Sequence, residues 1–361
     1  MPLSFPEHPL QIKSRKRCFG PTEREVVPFF QNQKGDENMI KALRTIGGEL
    51  VPVSDLKERN AWINIVNPTE EELLRASEEI GIHMDFLKPA LDEEERPHIE
   101  VDEGQILILI KTPILRRLDG NFICDTVPLG IVVTENSIVT ISMVENEVLK
   151  EFEASKPPTC HTAKRTRFLL QILFKTAAHY LKYLRLIEQK SDEIESQLQK
   201  SMKNEEITRL LNLEKSLVYF TTSLKANQIV FERLLRSQLS RTPEAATTIQ
   251  VLKMYEEDQD LLEDVIIENK QAIEMSETYS NILSNTMDAY ASIISNNLNI
   301  VLKFLTSITI VLALPTMVAS FYGMNVGLPL SDHPLSFWII LGISAFIGGL
   351  AVYFLKKRQM L

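Results

Sequence analysis

The chain has 361 residues, a formal net charge of −9, 24% charged residues and 44% hydrophobic residues. An acidic chain argues against a nucleic-acid partner, since such binders are usually basic, and the length suits about two domains besides any membrane part. The averages conceal a split: residues before 298 are polar and acidic, whereas 298–361 are lipid-like.

Residues 1–38 are rich in Pro, Gln and basic side chains, including Arg15, Lys16 and Arg17. They lack the apolar core of a signal peptide and read as a disordered extension, with Met39 an alternative start. Cys18, Cys124 and Cys160 have no paired spacing, so they read as reduced thiols rather than a zinc motif or disulfide framework.

Residues 39–157 read as an α/β cytoplasmic domain. A strand follows Met39, and Trp62 to Val66 alternates like another. Pro68-Thr69-Glu70-Glu71-Glu72 opens a helix, with Asn67 or Thr69 as cap, that stops at Gly81. A second short helix covers Met84 to Leu91. Strands follow at Ile106–Lys111, Thr126–Val133 and Ser137–Ser142, the last two joined by a turn at Glu135-Asn136.

After Pro157-Pro158 the pattern becomes helical, and residues 158–297 read as a helical domain and stalk. No glycine stands between Gly130 and Gly323. One helical block runs from about Ala163 to Gln238, with a break near Lys203-Asn204. The next is expected to start near Pro243 and meets no breaker before Pro315. Val251, Met254, Leu261, Val265, Ile273, Tyr279, Leu283, Tyr290, Ile294 and Leu298 recur at helical spacing. That stripe fits a bundle or coiled coil, and it fits a plain helical spacer equally well.

Residues 298–361 form a transmembrane hairpin, with spans at about 303–322 and 337–355. Each span is long enough for a hydrocarbon core of ~30 Å. The loop Gly323–Ser336 has no Lys or Arg, whereas Lys303, Lys356, Lys357 and Arg358 flank the pair. The positive-inside rule then puts both termini in the cytoplasm of a multi-pass cell-membrane protein. On the first span Asn299, Leu302, Thr306, Thr309, Ala313, Thr316 and Ser320 share one face. Such a small, polar stripe avoids lipid and faces either another helix or a water-filled path. Apart from Lys303 at the boundary of the first, neither span contains a charged side chain, which excludes a carboxylate proton relay. The second span, with Phe337-Trp338, Gly342, Ser344, Gly348 and Gly349, reads as an outer, supporting helix. No Gly-rich phosphate loop and no nucleophile–base arrangement suggest an enzyme or an organic cofactor.

Tyr322-Gly323-Met324-Asn325 closes the first span. This tetrapeptide, followed by a short loop, a second span and a basic tail and preceded by a long helix, resembles the signature of the CorA family of magnesium transporters. Arg96-Pro97 and the strand after it are also similar, so the resemblance covers Met39 to Leu361. It implies a homopentameric funnel embedded in lipid, with a pore lined by the first span and gated by cytoplasmic Mg²⁺. Carried onto this sequence, Gly323, Met324 and Asn325 form the outer ion site, with Met324 a packing residue. Asn299 forms an inner polar ring, and Leu302, Thr306, Thr309, Ala313, Thr316 and Ser320 line the path. The family's regulatory acid on the stalk falls on Asp264, with Asp260 near it. Its partner position falls on Lys88-Pro89, where this chain departs from the pattern and places Asp92 and Glu93 a few residues later. Asp264 also lies in an acidic stretch that a solvated helix face would explain. The implied cargo is Mg²⁺, with Co²⁺ or Ni²⁺ as further divalent cations. Zinc transport and a non-transporting coiled-coil anchor are the alternatives.

Overall fold

The computed structural model describes residues 40–118, 121–155, 160–201, 204–239, 252–324, 326–327 and 334–358. The expectations for residues 1–38, Met39, Pro157-Pro158, Lys203, Pro243, Val251 and Asn325 lie outside the described residues.

Seven strands form one sheet: β1 (Ile40–Ile46), β2 (Glu49–Pro52), β3 (Ala61–Val66), β4 (His98–Asp102), β5 (Gln105–Leu118), β6 (Asn121–Val133) and β7 (Ser137–Ser142). Their order is β2-β1-β3-β7-β6-β5-β4. Only the β3–β7 pair is parallel. Helix α1 (Glu70–Ile80) starts at a capping box, with Thr69 N donating to Glu72 Oε2 at 2.8 Å and Glu72 N to Thr69 Oγ1 at 3.3 Å. It ends at Gly81, whose φ of 76° is the left-handed conformation that glycine adopts without penalty. The short helix α2 (Met84–Leu87) continues into a 3₁₀ turn over Lys88–Leu91.

Strand alternation sends side chains to two cores. Ile63, Ile65, Leu107, Leu109, Val132 and Ile141 face Leu73, Phe86, Leu87 and Ala90. Trp62, Ile106, Ile108, Ile110, Ile131 and Ile138 face the other way, onto α3 (Glu147–Ala154) and three long helices: α4 (Arg165–Ser201), α5 (Asn204–Leu239) and α6 (Glu256–Tyr322). At Gly130 the 3₁₀ turn comes so close that an added Cβ would stand 2.7 Å from Ala90 Cβ, so only glycine fits.

The β5–β6 hairpin outgrows the sheet. β4 pairs only as far as Leu109, and β7 pairs only with Leu129–Val133. The rest of the hairpin lies along the helices. Lys111 N donates to Asn227 Oδ1 at 2.8 Å, while Lys111 O accepts from Asn227 Nδ2 at 2.8 Å and from Tyr180 at 3.1 Å. Further along, Cys124 N donates to Ser216 Oγ at 3.1 Å. Cys124 and Cys160 are free and buried, and burial pushes the Cys124 thiol up to about 12.

Helices α4, α5 and α6 form a bundle in which α6 runs parallel to α4 and antiparallel to α5. Arg167–Glu257, Tyr279–Glu188 and Tyr290–Glu195 mark the α4–α6 register. Helix α6 begins at Glu256, so the helix that reaches the apolar end does not run unbroken into it from the preceding residues. Lys253–Tyr255 are not helical, and Tyr255 N reaches Asp258 Oδ2 at 3.2 Å as the cap. Pro315 lies inside α6 and does not end it. The bundle closes at Tyr290, whose hydroxyl donates to Glu195 O at 3.4 Å. Beyond it every residue from Ala291 to Thr306 is exposed except half-buried Ile294. Helix α7 (Ser336–Lys357) then returns along the end of α6.

Candidate ion path

Helix α6 spans 67 residues, which is ~100 Å at ~1.5 Å per residue. It therefore links the sheet domain and the apolar hairpin as a single rod. Two of its faces matter at the apolar end. Ser307 is buried and Ile308, Val311, Leu314, Pro315, Val318 and Tyr322 are half-buried. This is the face packed on α7, where a Cβ at Gly348 would meet Pro315 Cγ at 3.6 Å. Asn299, Leu302, Thr306, Thr309, Ala313, Thr316 and Ser320 are all exposed. At ~3.6 residues per turn they fall on the opposite side of the helix from Ser307 and Val318. The polar stripe is therefore not what holds α7, and none of the described residues covers it.

The hydroxyls on this stripe are oriented. Thr306 Oγ1 donates to Leu302 O at 2.8 Å, Thr309 Oγ1 to Leu305 O at 2.9 Å, and Thr316 Oγ1 to Leu312 O at 2.8 Å. Each proton is used inside the helix, so the oxygen lone pairs point outward as acceptors. Sequence spacing alone does not reveal this, although Thr and Ser within a membrane helix are the usual signal for it.

Gly323 caps α6 with φ −88° and ψ 0°, a conformation open to any residue. An added Cβ would meet only Ala319 O and Ser320 O, both at an ordinary 3.5 Å. Within one chain the backbone at this position therefore does not require glycine. Met324 is 52% exposed.

The acidic residues are dispersed. Asp260 and Asp264 are exposed on α6. Asp92 Oδ1 accepts from Glu94 N at 2.9 Å. Glu93 Oε1 lies 3.0 Å from Arg116 Nη2, and Lys111 Nζ donates to Glu93 O at 2.5 Å. Burial holds the Lys111 ammonium below the usual lysine range, against the opposing pull of Glu93, Asp92, Asp125 and Glu95. Among the described residues no group of three or more His, Cys, Asp or Glu side chains is placed to hold a metal ion. Lys111 and Arg116 were not singled out from the sequence, because their acidic neighbours become visible only once the hairpin is folded.

Residues 57–357 match the family described as CorA-like Mg²⁺ transporter protein. The chain belongs to the CorA family. The cobalt/magnesium transport protein CorA of Methanocaldococcus jannaschii is 32% identical over 304 residues, covering 83% of this chain and 90% of that protein. The CorA of Thermotoga maritima is 26% identical over 316 residues, 83% of each chain. The complete structure of the CorA magnesium transporter from M. jannaschii superposes with a TM-score of 0.74 at 29% identity, covering 89% of this chain and 98% of the other. The α/β sheet, long helices and apolar C-terminal pair are thus the CorA fold.

Proposed function

We propose that this chain carries Mg²⁺ across the cell membrane through a homopentameric pore lined by the stripe on α6, and that Co²⁺ and Ni²⁺ share the path. It is a transporter and not an enzyme. The observation that supports the reading is the position of the stripe opposite the α7 contact, exposed along its whole length. With their protons bonded inside the helix, the outward lone pairs of a whole polar face still gain more from other helices and water than from lipid, so further copies of the chain cover this face. Mg²⁺ releases its waters reluctantly and prefers six oxygens at ~2.0–2.1 Å. The hydrogens of those waters point outward, and a wall of acceptor lone pairs suits them. In the same reading Asn325, with Gly323, forms the outer ring, Asn299 forms the inner one, and both termini are cytoplasmic. Residues 39–157 and 158–297 then form the funnel and 298–361 the hairpin.

Gating follows from the acids. Asp264 and Asp260 of one copy meet the Asp92–Glu93 segment of its neighbour, and cytoplasmic Mg²⁺ bridges them in the closed state. Glu93 already has Arg116, so Asp92 is the principal partner. A ligand shifts such an equilibrium only by its differential affinity for the two states. Added Mg²⁺ should protect the cytoplasmic body from protease in the native protein and less so in Asp264→Ala. Equal protection in the two would remove Asp264 from the sensor.

The deciding test is ion flux into proteoliposomes containing a magnesium-sensitive dye, with parallel Co²⁺ and Zn²⁺ arms. Saturable Mg²⁺ entry is expected. Zn²⁺ entry without Mg²⁺ entry would favour zinc transport, and no entry of any ion would leave a membrane anchor.

A further inference from the structure

The contact between α5 and α6 contains a degeneracy and a device that removes it. On α6 the buried residues Leu262, Asn269, Ser276, Leu283 and Tyr290 recur at heptad spacing. On α5 the buried residues Leu210, Leu217, Leu224 and Phe231 do the same. Two such rows can mate in registers one heptad apart, a displacement of about 10 Å at ~1.5 Å per residue. The apolar layers do not discriminate strongly between these registers, since each slip again sets Leu against Leu, as Leu217 against Leu283 or Leu224 against Leu262.

The polar layers do discriminate. Asn269 is 1% exposed and donates to Leu224 O at 3.0 Å and to Gln228 Oε1 at 2.9 Å. One heptad along, Ser276 is 0% exposed, donates to Leu217 O at 3.1 Å and lies 2.8 Å from the Thr221 hydroxyl. The bonds to carbonyls could form in any register, but the two side-chain pairs form together only in the native one. A slip in one direction sets Gln228 against Ser276 but leaves Asn269 beside Leu235, so one amide hydrogen loses its side-chain partner. A slip in the other direction sets Thr221 against Asn269 but brings the half-buried Glu214 carboxylate to the seam beside Ser276. Leaving a buried polar group unpaired costs ~1–3 kcal/mol, and burying an unpaired charge costs more.

We propose that the Gln228–Asn269 and Thr221–Ser276 pairs are the register lock of the stalk. They select one heptad mating of α5 with α6 and so, together with the α4–α6 contacts at Arg167, Glu188 and Glu195, set the height of the apolar end of α6 relative to the sheet domain. Because α6 is a single helix, a slip in the bundle would be a slip of the whole apolar segment. The inference does not depend on which ion passes.

Cysteine cross-linking of the full-length protein, in a Cys18→Ser background, reads the register. Lys225 Nζ lies 2.6 Å from Glu277 Oε1 at the rim of the seam, so Lys225→Cys with Glu277→Cys, bridged by a short bifunctional thiol reagent that replaces the reach of the two long side chains, reports the native register. Lys225→Cys with Ser284→Cys, or with Lys270→Cys, reports a slip in either direction. In the otherwise native chain only the first pair should cross-link. Adding Gln228→Leu and Asn269→Leu should keep the helical signal and raise one slipped pair about tenfold, the factor that corresponds to ~1.4 kcal/mol of lost discrimination. Thr221→Ala with Ser276→Ala provides the second variant should the first fail to fold. Native-only cross-linking in a folded variant would overturn the proposal and assign the register to the apolar layers. Loss of helical signal in both variants would also overturn it, because apolar replacement at such layers should stabilise a bundle.

Discussion

Helix α6 has two regions of contrasting environment. From Glu256 to Tyr290 it is packed by its own chain, with Leu262, Val265, Ala272, Leu283 and Tyr290 buried against α4 and α5. From Ala291 to Tyr322 it packs on α7, and among the described residues the Asn299–Ser320 face is left exposed. The first region is stabilised within one protomer, so substitutions there change folding. The second contributes little to the protomer's fold, and its side chains are available for whatever other copies and ions require. The same helix thus separates structure from function along its length, and the boundary lies near Tyr290.

The largest effect that would break this contrast lies on the bare face. Ala313→Trp should remove Mg²⁺ flux while leaving thermal unfolding of the cytoplasmic body unchanged, because Ala313 is exposed on the face away from α7. Cysteines at Thr309, Ala313 and Thr316 should react with small water-soluble thiol reagents, and cysteines at Val311 and Val318, on the α7 side, far less. Equal labelling of both sets, or normal flux through Ala313→Trp, would mean that the stripe is not a water path.

The packed region should show the reverse. Leu283 is 2% exposed, and Leu283→Ala should lower stability by ~2–5 kcal/mol through lost burial and the cavity left behind. Leu302 is 50% exposed, and Leu302→Ala should leave the unfolding of the protomer nearly unchanged. Denaturant melts of the two variants give the comparison. Similar losses in both would show that the neck is as important to the protomer's stability as the bundle.

Parts of this contrast were legible in the sequence for clear physical reasons. The stripe could be placed because membrane helices are regular and polar residues stand out in them. Trp62–Val66 alternates with period two, and Thr69, Glu72 and Gly81 punctuate α1, so those elements read correctly. Three features did not. The start of α6 was placed near Pro243 because proline suits a first turn, yet the cap is at Tyr255 and the acids Glu256, Glu257 and Asp258 form the first turn. The hairpin extends beyond Lys111 on one strand and begins before Thr126 on the other, since Pro113 and Arg116 interrupt a strand-like pattern that the helices later support. In sequence the seam of α6 shows through its apolar members alone, because Asn269 and Ser276 are polar. Polarity in a heptad row looks like a solvated face until a partner helix covers it. The acids met a related limit: in sequence they form a run, and in the fold Arg116 takes Glu93 while Asp264 stays exposed.

The smallest effect tests whether the body above the stalk is held by charge as well as by packing. Helix α3 sits on α4 through Val148, Leu149 and Phe152, and its acids add polar contacts. Glu147 Oε2 accepts from Tyr183 at 2.6 Å, and Glu151 meets Lys175 Nζ at 2.7 Å and His179 Nε2 at 2.9 Å. Burial alone would raise the Glu151 carboxyl, but the Lys175 and His179 hydrogen bonds outweigh it and hold the group below its ordinary value of 4.5. A carboxyl depressed in the folded state stabilises at pH above its unfolded value, and this contribution is lost as pH falls through the folded one. Because Glu151 is 41% exposed, solvent screening keeps the contribution within ~1 kcal/mol. Amide protection of α3 should therefore fall below pH 4.5 in the native chain. Glu151→Gln should already be less protected at neutral pH and should show a shallower acid dependence. Parallel pH profiles in the two proteins would leave the apolar contacts alone holding α3 to the bundle.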